Sequence, residues 1–359
     1  MTFSFSSYSP YVRSDSHVLA LVVPGGFTVF RRQNEGAALS IAQNGSGYHV
    51  MDNSPNQLNV LVDITDRDAV LSEVKALLST AWPSFDFSHL ERVFSDMERL
   101  FTGRYPGYQA CNTHYHDFRH TLDVFLAMAR LLHGAAAAGE GFSDREVELG
   151  VISALMHDTG YIQRIDDRSG TGAKYTLEHI DRSIEFMKGY YGGDSRFEKE
   201  FPAFDHILHC TGFTMKIPEM RFPSRALEIL GKMLGTADLL GQMADRLYLE
   251  KLLFLYHEFV ESGIKDYENE LDLLKKTIPF HRFIQRRYAT DLGGVDGYMI
   301  HHFRARWNID RDLYREAVDR NMRRLQFILE NDPGRYRQLL RRGGVTKRLP
   351  SQPSDPSSP

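Results

Sequence analysis

The sequence predicts a mainly α-helical protein with a small β-rich region at its N-terminus. From Thr65 onward, apolar residues recur every three or four positions, which is the period of an amphipathic helix. Residues 1–63 instead carry short β-branched segments separated by Pro, Gly and Asn residues, a pattern typical of strands and turns. A hydrophobic content of 42% over 359 residues supports a real core, in one large or two ordinary domains.

The N-terminal region contains three predicted strands, at residues 17–23, 27–30 and 58–63. Each is rich in aliphatic, β-branched or aromatic residues and is bounded by turn sequences such as Pro-Gly-Gly. We interpret residues 1–63 as a small layer packed on the helical body. A regulatory or dimerising module is the alternative.

The helical part begins with Thr65 as a predicted cap, and Ser88 is predicted to cap the next helix. Ser143 and Glu146 form a capping-box pattern before a helix that ends at about residue 158. The remaining predicted helices cover residues 112–133, 176–190, 202–211, 223–262, 266–291 and 310–341.

These elements predict four parts of the chain. Residues 1–63 form the β-rich region, 64–265 the main helical domain, and 266–343 a helical extension packed on it. Residues 344–359 are rich in Pro and Ser and are predicted to be disordered by composition.

Charge and cysteine content exclude several classes of protein. A net charge of −4 provides no bulk attraction for nucleic acid, and two cysteines form at most one disulfide. The N-terminus lacks a basic, apolar leader, and no run of about 18 apolar residues occurs. We therefore expect a soluble cytoplasmic protein without nucleic-acid or membrane partners, and oligomerisation stays open.

Histidines and aspartates on apolar helix faces indicate a metal site. His116 and His120 are four residues apart, so on one helix both would face the core. Asp158 follows His157 on the apolar stripe of the capped helix, and Asp238 lies on the stripe of a later helix. A buried carboxylate is costly unless it is paired or binds a metal. One shared cation is the simplest explanation.

This set resembles the signature of the HD-domain metal-dependent phosphohydrolases, an all-helical superfamily marked by His, His-Asp and a distant Asp. Within it, Tyr115-His-Asp-Phe-Arg-His120 resembles the Tyr-His-Asn-x-x-His motif of the class I cyclic nucleotide phosphodiesterases. The resemblance covers roughly residues 100–260 and implies an HD-domain helical bundle. Asp117 stands where those enzymes have Asn, and the spacing from Asp158 to Asp238 is shorter than theirs.

The resemblance implies hydrolysis of a small-molecule phosphoester, with a cyclic nucleotide among the options, by a metal-activated water. It assigns His116 as the general acid. It assigns the first divalent cation to His120, His157, Asp158 and Asp238, with Asp158 also bridging to a second cation.

Binuclear members of the superfamily carry two further histidine ligands, which His179 and His209 would supply here. His206 competes with His209, and Asp205 could instead orient the His209 imidazole. Nitrogen and carboxylate donors without thiolate suit Mn, Fe, Co, Ni or Zn, and Mg could complete a second, water-rich site.

Four basic residues near these ligands in sequence are candidate phosphate contacts, with a surface salt bridge as the alternative for each. They are Arg119, Arg164, Lys174 and Arg182.

Two other functions would use the same residues. A diiron oxygenase resembling inositol oxygenase would need the same six ligands, but dioxygen activation has no evident need for the acid His116. A non-catalytic helical signalling scaffold is the third option, and the retention of every core ligand argues against it.

Overall fold

The computed structural model describes residues 18–23, 26–31, 57–194, 201–213 and 215–349. Its contacts divide the chain into two units, residues 1–51 and 52–359. In the first unit, β1 (Val18–Val23) and β2 (Gly26–Arg31) pair antiparallel, with Val18 opposite Arg31. These strands lie at the first two positions where strands were predicted.

The second unit is built from α-helices, which confirms the mainly α-helical prediction. Thirteen lie within the described residues: α1 (Gln57–Leu61), α2 (Arg67–Ala81), α3 (Ser88–Phe101), α4 (Phe118–Ala137), α5 (Asp144–Met156), α6 (His179–Tyr190), α7 (Phe201–His209), α8 (Arg225–Ala244), α9 (Tyr248–Glu261), α10 (Glu270–Ala289), α11 (Tyr298–Trp307), α12 (Leu313–Asn331) and α13 (Tyr336–Leu339). In the described part of the chain, none of them is long and apolar enough to cross a membrane.

The third predicted strand, at residues 58–63, is wrong, because residues 57–61 form α1. Leu58, Val60 and Val62 alternate with their neighbours, which is the strand period. Leu58 and Val62 are also four residues apart, and both are 6% exposed, whereas Val60 is 66% exposed. The segment fits both periods, and packing of its Leu58–Val62 face on the helical body decides for the helix.

Helix α4 lies at the centre of the second unit, in contact with α2, α5, α8 and α11. Every side chain from residue 124 to residue 135 is buried. Small residues permit this close packing: a Cβ at Gly134 would lie 2.0 Å from the carbonyl oxygen of Tyr298, and a Cβ at Gly241 of α8 would lie 3.2 Å from the backbone of Asp123. Polar residues of α4 and α8 can therefore meet.

Two helix boundaries near the candidate site differ from the prediction. The helix predicted from residue 112 begins at Phe118, because the Asp117 carboxylate accepts the His120 N–H and caps it. The predicted helix 223–262 is interrupted after Ala244, so α8 and α9 are separate helices.

The other boundaries show which capping patterns held. The capping box of Ser143 and Glu146 is confirmed. Asp66 rather than Thr65 caps α2, and Ser88 is the first residue of α3 rather than its cap. Helix α11 was not predicted. The predicted tail lies outside the described residues beyond residue 349, and its first residues belong to a 3₁₀ segment, Arg342–Arg348.

Candidate metal centre

Two helix ends and one helix centre bring four predicted ligands together. His120 lies in the first turn of α4, His157 and Asp158 directly follow α5, and Asp238 lies within α8. All four side chains are buried, from 2% exposed for His120 to 9% for Asp238.

The ligand atoms of these residues converge. His120 Nε2 lies 3.2 Å from Asp158 Oδ2 and 3.2 Å from Asp238 Oδ1. His157 Nε2 lies 3.3 Å from both His120 Nε2 and Asp158 Oδ2. The buried cluster of His120, His157 and Asp158 can hold a metal ion.

The tautomer of His157 shows which atoms face the centre of the cluster. Its Nδ1 lies 2.9 Å from the carbonyl oxygen of Ala154, which only accepts hydrogen bonds, so Nδ1 carries the hydrogen. In the neutral imidazole, Nε2 then carries a lone pair that is directed at Asp158. Asp158 Oδ2 is buried and has no hydrogen-bond partner among the described residues. Acceptors this close repel unless a proton or cation lies between them, so the donor set fits a metal ion.

Protons can take the place of a cation in this cluster. Burial acts to lower the pKa of His120, but the Asp158 and Asp238 carboxylates raise it to about 10. Burial acts to raise the pKa of Asp158, but the imidazoles of His157 and His120 hold it well below its ordinary value. A cation would displace the imidazole protons, so its affinity is expected to rise with pH.

The second oxygen of Asp158 faces His179. His179 Nε2 lies 3.9 Å from Asp158 Oδ1, and its Nδ1 lies 2.7 Å from the Thr176 carbonyl oxygen. Because that carbonyl accepts the Nδ1–H, Nε2 of the neutral ring again carries the lone pair. Asp158 therefore lies between the His120–His157 pair and His179, as expected of a carboxylate that bridges two cations.

His209 contacts an aspartate that was not predicted from the sequence. Its Nδ1 lies 2.8 Å from the Asp205 carbonyl oxygen, and its Nε2 lies 3.4 Å from Asp181 Oδ1 on α6. Asp205 thus orients His209 mainly through its backbone. The competing His206 packs on Phe222, with ring centroids 5.6 Å apart. Asp181 is therefore an additional candidate ligand beside His209.

His116 lies outside α4, so the prediction that it shares a helical face with His120 is wrong. It precedes the Asp117 cap, where the backbone is extended rather than helical. Its ring stacks on Tyr161 with centroids 4.3 Å apart and lies 5.9 Å from the His120 ring. The side chain is only 12% exposed, so it still points inward.

Glu258 of α9 holds His116 in place and was not predicted from the sequence. Its Oε2 lies 2.8 Å from His116 Nδ1, and its Oε1 accepts the backbone N–H groups of His114 and Tyr115, each at 2.7 Å. Nδ1 therefore donates to the carboxylate, and Nε2 stays free to exchange a proton. The two residues are 142 positions apart, and no local pattern connects them.

A short hydrogen-bond chain orients Asp238. The Tyr115 hydroxyl donates to Gln242 Oε1 at 2.9 Å, and the Gln242 amide donates to Asp238 Oδ1. The tyrosine of the histidine motif therefore acts on Asp238 through Gln242. Such outer contacts fix the direction of a ligand's lone pairs.

The four basic candidates each have another partner. The contacts are Arg119 with Asp245 (3.0 Å), Arg164 with Asp166 (3.9 Å), Lys174 with Asp167 (2.6 Å) and Arg182 with the Gly160 carbonyl oxygen (2.8 Å). Phosphate binding by these residues stays a prediction, and a phosphate would compete with these partners.

Comparison with known protein families matches part of the chain. Residues 165–291 match the model of the Npun_R2479-like family. The matched segment is about a third of the chain; it contains His179, His209 and Asp238 but begins after His120, His157 and Asp158. A search of curated proteins found no match. The chain is thus similar to this family over one part of the candidate centre.

Proposed function

We propose that this chain is a metal-dependent phosphohydrolase that cleaves a phosphodiester, with His116 as its general acid. The observation that carries the proposal is the position of Asp158, whose Oδ2 faces Nε2 of His120 and His157 and whose Oδ1 faces Nε2 of His179. Nitrogen and carboxylate donors of this kind suit Mn, Fe, Co, Ni or Zn, with Mg in a water-rich position.

The ligands divide into two groups that share Asp158. His120, His157 and Asp238 would hold one ion with it, and His179 and His209 would hold a second. Two divalent cations held in this way activate a water molecule and screen the charge on a phosphoryl group.

His116 and Glu258 would transfer the proton that the leaving oxygen needs. Glu258 keeps Nδ1 protonated and stabilises the imidazolium, so that Nε2 carries the transferable proton. Stacking on Tyr161 fixes the ring plane. Histidine is suited to this step because one ring nitrogen can carry the proton while the other is held by a hydrogen bond.

The His116–Glu258 pair also bears on the alternative functions. A diiron oxygenase could use the same six ligands, but it has no evident need for an oriented proton donor beside them. A signalling scaffold would need neither the converging ligands nor the acid. The pair therefore favours the hydrolase.

The test is the metal content of the purified chain, followed by hydrolysis of bis(p-nitrophenyl) phosphate with added Mn, Mg, Co or Ni, in air and without oxygen. We expect about two ions per chain and oxygen-independent turnover. Asp158→Ala should lose both ions, because its carboxylate lies between the two groups of ligands.

Asp310→Ala is the matched control, because its side chain is 72% exposed and pairs with Arg304, which is neither a candidate ligand nor a candidate phosphate contact. It should keep the metal and the turnover of the wild type. Bound iron without phosphoester turnover would favour the oxygenase. A wild-type chain without metal would favour the scaffold.

A further inference from the structure

A separate cavity borders the 3₁₀ turn Thr159–Tyr161. Its volume is about 570 Å³, which is within the range of small-molecule sites. The first two residues of the turn line the cavity, whereas the third, Tyr161, stacks on His116 and His179 at the metal centre. No predicted metal ligand lines this cavity. The turn therefore separates it from the candidate centre.

Aromatic side chains form one wall of the cavity. Tyr105 and Tyr108 precede α4, and Phe186 and Tyr190 lie on α6. The ring centroids of Tyr108 and Phe186 are 5.4 Å apart, and those of Phe186 and Tyr190 are 6.1 Å apart. The Tyr108 and Phe186 rings meet edge to face and Phe186 is buried, so the partly exposed rings of Tyr105, Tyr108 and Tyr190 are the ones that can stack a planar heterocycle.

The rim of the cavity carries an excess of positive charge. Arg164 is 66% exposed, with its nearest carboxylate, Asp166, 3.9 Å away. Lys188 is exposed and forms no ion pair within the part of the chain that the structure describes. Glu185 is the one carboxylate among the described residues that line the cavity. Because Arg164 and Lys188 together outnumber the Glu185 carboxylate, the described lining of the cavity favours an anion.

We propose that this cavity binds a nucleoside monophosphate. Its base would stack on the aromatic wall, and Arg164 and Lys188 would hold its phosphate. Glu185 would accept hydrogen bonds from the ribose hydroxyls. An uncharged aromatic ligand would leave the two cations unused, and inorganic phosphate would leave the wall unused. The site lies beyond the proposed hydrolase function and does not depend on it.

A cavity-filling substitution tests the site without straining the fold. A Cβ at Gly189 of α6 would meet no atom within 4 Å, and Gly189 lines the cavity. Leucine there would occupy the ligand's space and would also favour the helix. Gly297→Leu is the matched control, because a Cβ at Gly297 also meets nothing within 4 Å and this residue does not line the cavity.

The measurement is equilibrium binding of AMP to the full chain in EDTA, with adenosine and inorganic phosphate as partial ligands. AMP should bind more tightly than either one. Gly189→Leu and Arg164→Glu should each weaken AMP binding by about tenfold or more. Gly297→Leu and Arg168→Glu, a charge reversal on the same exposed loop outside the cavity, should bind as the wild type does.

Three results would overturn the proposal. The first is no AMP binding by the wild type. The second is unchanged binding by Gly189→Leu. The third is binding that needs metal and disappears in EDTA or in Asp238→Asn, because AMP would then occupy the metal centre. Retained binding by Asp238→Asn in EDTA would support a separate site, whether or not the chain hydrolyses phosphoesters.

Discussion

At the scale of single residues, the hydrogen-bond partner of Nδ1 distinguishes three candidate metal ligands from the candidate acid. Three histidines donate Nδ1–H to a carbonyl three or four residues earlier: His157 to Ala154, His179 to Thr176 and His209 to Asp205. A peptide carbonyl cannot give up a proton, so Nε2 of each ring stays available as a metal ligand. His116 donates instead to the Glu258 carboxylate, which stabilises the imidazolium and suits proton transfer.

Removing the His116 side chain should therefore slow turnover without loss of bound metal. His116→Ala is expected to keep the wild-type metal content and to hydrolyse a dialkyl phosphodiester roughly 10²–10⁴-fold more slowly. The loss should be much smaller for bis(p-nitrophenyl) phosphate, because a nitrophenolate leaves without a proton. Comparison of kcat for the two substrates measures the difference.

The neighbouring His114→Ala is the control for that experiment, since His114 is exposed and its ring contacts Phe254. It should leave both rates near those of the wild type. Equal losses on the two substrates in His116→Ala would remove its assignment as the acid.

Asp181 should affect only one of the two proposed cations. Its Oδ1 lies 3.4 Å from His209 Nε2, which is a candidate ligand of the second ion only. Asp181→Asn is expected to weaken the second ion by about 10–100-fold and to leave the first unchanged. Titration with a competing chelator measures the two affinities, with Asp166→Asn as the control. Unchanged affinity of both ions would show that Asp181 is not a ligand.

Elements with local signals were predictable from the sequence, and those set by distant contacts were not. Ser143 and Glu146 satisfy one another within one turn, so their capping box could be identified without the fold. His116 was placed on a helix because its spacing to His120 fits one. The helix instead begins after the Asp117 cap, so His116 lies outside it.

The same distinction holds for the candidate site. The burial of His120, Asp158 and Asp238 was predictable because each is polar on an apolar stripe, and His157 directly precedes Asp158. Glu258 has the same character on α9, but only folding brings it to His116. Asp181 lies two residues after His179, and this spacing could have suggested Asp181 as a further ligand. Its partner His209, however, comes from another helix.

The contact between α4 and α11 predicts how one element tolerates change. A Cβ at Gly134 would lie 2.0 Å from the Tyr298 carbonyl oxygen, which is backbone and cannot rotate away. Gly134→Ala should therefore lower the free energy of unfolding by about 1–3 kcal/mol or more. Urea denaturation measures this change. Gly189→Ala, whose Cβ meets nothing, should be neutral or slightly stabilising, and an equal effect of both substitutions would contradict the packing described for α4.

Helix α4 connects two buried groups of histidines within the helical unit. His120 lies in its first turn at the metal centre, and His133 lies near its other end beside His302 of α11, with Nδ1 atoms 3.4 Å apart. The two groups respond to protons in opposite ways. Carboxylates raise the pKa of His120 to about 10 against the effect of burial, whereas burial and the nearby Arg130 hold the pKa of His302 well below its ordinary value.

These opposite shifts predict how stability depends on pH in the metal-free protein. Below about pH 6.5, the unfolded chain binds a proton at His302 that the folded chain does not, so stability falls as the pH falls. The contribution of His120 is fully present below its unfolded pKa of about 6.5 and is lost as the pH rises toward 10. Urea unfolding in EDTA at several pH values should therefore show that stability falls both in acid and in alkali. His302→Leu should reduce the loss between pH 6.5 and pH 5.5 by about 1 kcal/mol while leaving the alkaline loss intact, since His120 is unchanged. If His302→Leu lost as much stability in acid as the wild type does, other groups would be responsible for the destabilisation in acid.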